Sequence, residues 1–221
     1  TRGSFTLSAD LSIPTGARVA VIGPSGSGKS TLLSLVGGFL APDRGRIRVD
    51  GQDITVLPPG RRPVSMLFQD QNLFPHLTVA QNVGLGLRPD LRLSDPQRAR
   101  VTQVLAEVGL EGMETRRPAN LSGGQQSRVA LARVLLRARP VLLLDEPFAA
   151  LGPALKAEML ALLGRIAEQT GATVLMVTHD PDDARSFAPQ TILIEGGVAH
   201  PPAPTGPLLD NPPPGLRAYL G

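Results

Sequence analysis

Nine consecutive residues restrict this chain more than any other feature: Gly23-Pro24-Ser25-Gly26-Ser27-Gly28-Lys29-Ser30-Thr31. They read G-x-x-x-x-G-K-S, the phosphate-binding P-loop. Arg18 to Ile22 form an apolar run in front of it, as a strand does. Leu32, Leu33, Leu35 and Val36 recur behind it at helical spacing until Gly37-Gly38. The spacing therefore predicts a strand-loop-helix turn. There the glycines let backbone N–H groups point at phosphate oxygens, and the helix N-terminus adds its positive end. Lys29 adds a point charge for the β- and γ-phosphates, and the Ser30 hydroxyl is placed for Mg2+. The bland alternative is a glycine-rich turn with a lysine in it; the strand before and the helix after disfavour it.

The remainder reads as alternating strands and helices around that unit. Residues 5–13 are a weak edge strand and Arg46 to Gly51 an alternating one. Val64 to Phe68 is a short apolar strand ending at Gln69. Val141 to Leu144 and Thr173 to Val177 are continuous apolar runs, as buried parallel strands are. Helical stripes follow at Val101, Val104, Leu105 and Val108, at Val129, Ala132, Leu135 and Leu136, and at Leu155, Met159, Leu162, Leu163 and Ile166. Ser94-Asp95-Pro96 opens the first of these with a cap and a proline. Thr191 to Ala199 is a hairpin around Gly196-Gly197. The proline-rich stretch from Pro201 is expected to be loosely ordered, with a short last helix at most.

Bulk properties exclude several classes. The 221 residues suit one large domain, and the absence of cysteine rules out disulfides and thiolate chemistry. Net charge is only +3, and Lys29 and Lys156 are the only lysines among 22 basic residues. The doublets Arg61-Arg62 and Arg116-Arg117 are too short for a nucleic-acid patch. No apolar run is long enough to span a bilayer, and no signal peptide is visible. The chain opens on Thr1, so its N-terminus is expected to be trimmed or incompletely represented.

Two further groups carry chemistry. The strand ending in Asp145-Glu146-Pro147 delivers a carboxylate beside the P-loop, the Walker B arrangement; Asp145 suits magnesium and Glu146 suits a general base. Taken alone the pair reads more readily as a helix cap; the P-loop upstream is what favours the Walker B reading. Leu121-Ser122-Gly123-Gly124-Gln125 opens a helix and makes a second anion-binding N-terminus. One nucleotide does not need two such cradles in one chain.

These five residues match the signature motif of the ATP-binding cassette family, and Gln125 stands 20 residues before Asp145 as that family places it. Gln69 matches its Q-loop and His179 its switch histidine. The chain thus resembles an ATP-binding cassette ATPase over nearly all its length. The implied fold is α/β: a RecA-like P-loop NTPase core with an edge antiparallel β-subdomain and an inserted α-helical signature subdomain. Residues 1–69 and 139–200 would be the core, 70–138 the helical insertion, and 201–221 a tail. The implied cofactors are ATP and Mg2+, the metal held by Ser30, Gln69 and Asp145. Glu146, His179 and Gln69 would be catalytic. Leu121 to Gln125 would contact ATP held by a second copy, so a homodimer sandwiches two nucleotides. Two departures stand out. The family's adenine-stacking aromatic falls at or before the first residues, with Phe5 a weak substitute that reads better as a core residue. The loop after Glu146 ends Ala150-Leu151-Gly152, where the family has aspartate at the last position.

Within the family, Arg61 to Gln69 and Ala80-Gln81-Asn82-Val83-Gly84-Leu85-Gly86-Leu87 resemble the ATP-binding subunits of bacterial thiamine importers. That resemblance implies integral-membrane permease partners, an indirect periplasmic thiamine-binding protein, and a peripheral place on the cytoplasmic face of the inner membrane. Alternatives are an importer for iron(III), a polyamine or sulfate, or a soluble non-transport ATPase of the same family. A P-loop kinase or GTPase would leave Leu121 to Gln125 unexplained.

Overall fold

The computed structural model describes residues 5–70 and 72–220. In chain order these give β1 (Ser8–Ala9), β2 (Arg18–Ile22), α1 (Lys29–Gly37), β3 (Arg48–Val49), β4 (Gln52–Asp53) and β5 (Val64–Leu67). Then come α2 (Val79–Gly84), α3 (Asp95–Glu107), α4 (Gly123–Leu136), β6 (Val141–Asp145), α5 (Pro153–Thr170), β7 (Thr173–Val177) and α6 (Pro181–Phe187). The last elements are β8 (Gln190–Glu195), β9 (Val198–Ala199), β10 (Ala203–Pro204), α7 (Thr205–Asp210) and α8 (Pro214–Leu220).

One sheet runs in the order β1-β9-β8-β2-β7-β6-β5, with β10 paired to β8. From β8 to β5 neighbours are parallel. Alternation along these strands sorts side chains onto two faces. Val19 and Val21 of β2, Leu143 of β6 and Val177 of β7 meet Leu32 and Leu33 of α1 on one side. Ala20, Ile22, Leu142, Leu144, Val174 and Met176 meet α5 residues Met159, Leu163 and Ile166 on the other. Both faces are covered, so the strands read as unbroken apolar runs. Parallel strands also finish together: Val21 and Asp145 both stand opposite Val177, and Leu67 stands opposite Leu144. The segments leaving β2, β7, β6 and β5 therefore line one edge of the sheet.

Three expectations change. The 5–13 strand is only Ser8–Ala9, and it pairs parallel with β9. The strand expected over 46–51 is instead a hairpin of β3 and β4, because Asp50 (φ 50°) and Gly51 (φ 78°) both turn left-handed. The stretch after Pro201 is ordered and packed. The Thr205 hydroxyl bonds Thr191 at 2.9 Å, and Leu209 and Leu216 lie in the main core. Proline there starts a helix at Pro214 rather than preventing one.

A buried arginine fixes the foot of α1. Arg62 is 1% exposed and donates from Nη1 to Leu35 O (2.6 Å) and Val36 O (2.9 Å), from Nη2 to Thr55 O (2.8 Å) and from Nε to Leu57 O (2.8 Å). The first two acceptors are last-turn carbonyls, where a cation meets the negative end of the helix. So one half of the Arg61-Arg62 doublet, weighed in the sequence only as a nucleic-acid patch, is internal.

Candidate active site

The loop after β2 turns through positive φ at Gly23 (152°), Gly26 (76°) and Gly28 (107°). A Cβ on Gly23 would run into the Ile194 carbonyl, and one on Gly28 would come within 2.7 Å of the Phe5 ring. Glycine is required at both places for space as well as for angle. Gly28 caps α1 without a side-chain hydrogen bond, and no acidic residue stands in the first turn. The opening N–H groups are thus left facing outward, with the positive end of the helix behind them. Ser27 Oγ is buried within the same loop and has no hydrogen-bond partner among the described residues. These are the features of a cradle for an anion.

Lys29 crosses that cradle, its Nζ donating to Gly23 O (2.7 Å) and Pro24 O (2.9 Å). Burial holds its pKa below the usual lysine value, while the carboxylates of Glu146 and Asp145 oppose the shift. Across from it, Ser30 Oγ donates to Asp145 Oδ1 at 3.2 Å. Burial pushes the Asp145 carboxyl up from the usual range; the Ser30 bond opposes this and Glu146 adds to it. A hydroxyl and a partly desolvated carboxylate, 115 positions apart in sequence, thus converge. No cluster of three or more His, Cys, Asp or Glu forms a metal site among the described residues. Magnesium suits a sparse oxygen set of this kind, because it keeps waters and takes phosphate oxygens from its nucleotide. Gln69 stands exposed two residues past the end of β5, beside β6 in the sheet.

Glu146 takes φ 45°, unusual for a residue with a side chain, and its N–H donates to Val177 O at 3.1 Å. That bond ties the turn after β6 to the end of β7. It brings Glu146 Oε2 to 3.1 Å from His179 Nδ1. The glutamate is 24% exposed and the histidine 58%, so the pair sits at the mouth of the site and remains open to water.

Leu121 to Gln125 lie elsewhere. Ser122 caps α4: its hydroxyl accepts from Gln125 N (3.3 Å) while Gln125 Oε1 accepts from Ser122 N (3.0 Å). Gly124 packs against the Leu155 side chain, whereas Gly123 faces open space. No hydrogen bond among the described residues joins this segment to the P-loop. Its helix packs on α2, α3 and β5, while α1 packs on β5, β6 and β7. The structure therefore gathers Lys29, Ser30, Asp145, Glu146 and His179, and leaves the signature residues apart on their own helix start.

Phe5 belongs to neither core cluster; its half-buried ring lies on Gly28. Positions before it lie outside the described residues. Gly152 caps α5 with no side-chain hydrogen bond. A cavity of about 540 Å³ opens at the opposite end of β6 and β7, lined by Leu11, Ile13, Val36, Ile47, Pro140 and Thr173, and it shares no residue with the motifs.

Sequence reasoning missed a set of contacts around His179. Lys156 of α5 pairs with Asp180 and with Asp183 (2.9 Å), and Thr178 Oγ1 donates to Asp183 Oδ2 at 2.8 Å. Tyr219 donates from its hydroxyl to His179 O at 3.2 Å. The signal available was rarity: Lys156 is one of two lysines and Tyr219 the one tyrosine.

Comparison with known proteins places the chain in a family. The profile of the "ABC transporter" family matches residues 7–149. A Cereibacter sphaeroides protein named "Thiamine import ATP-binding protein ThiQ" is 64% identical over 220 residues, covering 100% of this chain and 95% of its own length. A protein of the same name from Ruegeria sp. is 61% identical with the same coverage. Among solved structures, the "Dimeric structure of a post-hydrolysis state of the ATP-binding cassette MJ0796 bound to ADP and Pi" superposes with a TM-score of 0.76 at 34% identity, over 88% of each chain.

Proposed function

The chain belongs to the ABC transporter family, and from that premise we propose that it is the ATP-hydrolysing subunit of a bacterial thiamine importer. One observation carries the activity: a P-loop lysine, a Ser-Asp pair and a Glu-His pair meet at one edge of a parallel sheet. The solute rests on likeness over the whole chain to proteins named for thiamine import.

In this reading Lys29 exchanges the carbonyls of Gly23 and Pro24 for β- and γ-phosphate oxygens, and residues Gly23 to Thr31 hold the triphosphate through their N–H groups. Ser30, Gln69 and Asp145 would hold magnesium, which would supply positive charge against the phosphate oxygens. Glu146 accepts a proton from the attacking water. The water oxygen bonds to the γ-phosphorus as the bridging P–O bond breaks, and ADP and phosphate leave. His179 contacts the γ-phosphate. The separate signature segment, Leu121 to Gln125, serves the nucleotide of a second copy, so the working unit is a homodimer. Its Gly123 faces open space, as a surface meeting phosphate must.

Residues 70–138 form the helical subdomain and residues 1–69 with 139–200 the core. The segment around Gln69 meets integral-membrane permease subunits at the cytoplasmic face of the inner membrane, and a periplasmic thiamine-binding protein delivers the solute. Among the described residues no helix is long and apolar enough to cross a membrane, in keeping with peripheral attachment. The test is uptake of labelled thiamine by cells co-expressing this chain with its neighbouring permease genes. Thiamine should accumulate, and Glu146→Gln should stop it. Uptake of iron(III), a polyamine or sulfate in its place would overturn the solute assignment.

A further inference from the structure

The last helix brings a contact to the catalytic edge that no motif anticipates. α8 is held against the body of the protein: Leu216 is 0% exposed, and the Glu195 side chain lies over Gly215 where a Cβ would otherwise stand. One turn further, Tyr219 is half-buried against the main core and donates to the His179 carbonyl at 3.2 Å.

The chemistry of that carbonyl matters. It belongs to the peptide unit joining His179 to Asp180. The N–H end of the same unit donates to Thr178 Oγ1 at 3.1 Å. The Thr178 hydroxyl is itself fixed on Asp183, and Asp180 is held by Lys156 and caps α6 through Asp182 N at 2.9 Å. With both ends bonded, the peptide plane cannot rotate, and the rotation it loses is the ψ angle of His179. The Tyr219 bond thus anchors the carbonyl end of the residue whose imidazole Nδ1 lies 3.1 Å from Glu146 Oε2, and so limits how far that backbone can shift beneath the ring. Remove the phenol and the N–H end alone remains, leaving the plane free to rock about it. Burial, and then the carboxylates of Glu146 and Asp180, push the Tyr219 pKa up, so the phenol keeps its proton and stays a donor.

We propose that Tyr219 is a positioning residue for His179, through the hydrogen bond from its hydroxyl to the His179 carbonyl. The inference rests on the reading of His179 as the γ-phosphate contact.

The test compares Tyr219→Phe, which removes one oxygen and keeps the ring, with His179→Ala and wild type, each as the full chain in complex with its permease. Steady-state ATP hydrolysis and thermal unfolding are measured together. For Tyr219→Phe, kcat should fall about three- to tenfold, as for one lost neutral hydrogen bond, with KM for ATP unchanged and the melting midpoint held. Unchanged kcat would overturn the inference, as would a fall in kcat matched by a rise in KM or a loss of stability. If His179→Ala is inactive while Tyr219→Phe is fully active, only this inference fails. If His179→Ala is fully active, the reading of His179 beneath it fails.

Discussion

Replacing Arg62 by methionine should show what a buried cation does at the foot of the P-loop helix. Methionine keeps much of the volume and removes every donor. Four carbonyls lose a charged partner: Leu35, Val36, Thr55 and Leu57. The Leu35 oxygen keeps a neutral partner, since Gly38 N–H reaches it at 3.3 Å. The other three depend on the guanidinium for the bonds described here. A hydrogen bond to a charged donor contributes about 1.5–3 kcal/mol, and an acceptor left buried costs about 1–3 kcal/mol. Against this, removing the arginine also removes the cost of desolvating it, the same burial that holds its pKa below the usual value. A net loss of about 3 kcal/mol follows, a large fraction of the stability of an ordinary domain. Arg62→Lys should recover roughly half, because an ammonium brings the charge without the fork that reaches both helix and loop. The assay is urea unfolding followed by far-UV circular dichroism, since the chain has no tryptophan to report by fluorescence. If the methionine variant unfolds within about 1 kcal/mol of wild type, or lysine matches arginine, the four-carbonyl account is wrong.

Other perturbations address the site. Lys29→Ala should abolish ATP binding or hydrolysis, and full ATPase activity in that variant would remove the central assignment. Asp145→Asn should stop hydrolysis yet raise the melting midpoint of the ligand-free protein near pH 8. Because burial raises this carboxyl's pKa, the wild-type fold favours its neutral form. Its contribution is favourable at low pH and is lost as pH rises through the raised value. The gain from asparagine should therefore shrink as pH falls through that value; an asparagine variant less stable at pH 8 contradicts it. Gly152→Asp should cap α5 and stabilise it by a few tenths of a kcal/mol, about the difference between these caps. It should also alter dimer-dependent hydrolysis, measured as the dependence of rate on protein concentration, and identical kinetics would make the glycine neutral. Glu146→Gln should bind ATP without turnover and accumulate dimer in gel filtration; a variant that still hydrolyses ATP would remove the general base.

Much of the site was legible because each part is local in sequence. Gly23 to Thr31 carry their own turn and helix start, and Asp145 to Pro147 follow an apolar strand that can only be buried. Leu121 to Gln125 announce a capped helix through Ser122 and Gln125 alone. What was not legible depends on residues that meet only after folding. Arg62 looks like half of a short charged doublet until four carbonyls from α1 and the 55–57 loop converge on it. Asp50-Gly51 does carry a hairpin signal, but a two-residue strand on each side is too short for alternation to show. The segment after Pro201 reads as loose because proline is counted as a breaker. The structure uses Pro214 to begin α8, and the order comes from Thr205, Leu209 and Leu216, whose partners lie outside the segment. Tyr219 reaches His179 across 40 positions, and no local pattern records that.

The inward fold of Lys29 has a consequence for turnover. In the proposed reading Lys29 grips a phosphate, and its ammonium already has two oxygens to rest on, Gly23 O and Pro24 O. When product departs, the charge falls back onto these carbonyls and is never stranded in a partly dry loop. Departure is thereby eased, at the expense of how tightly the nucleotide is held on arrival. For a motor that must reset after each stroke, the lysine acts as a return spring whose seat is built from the loop itself.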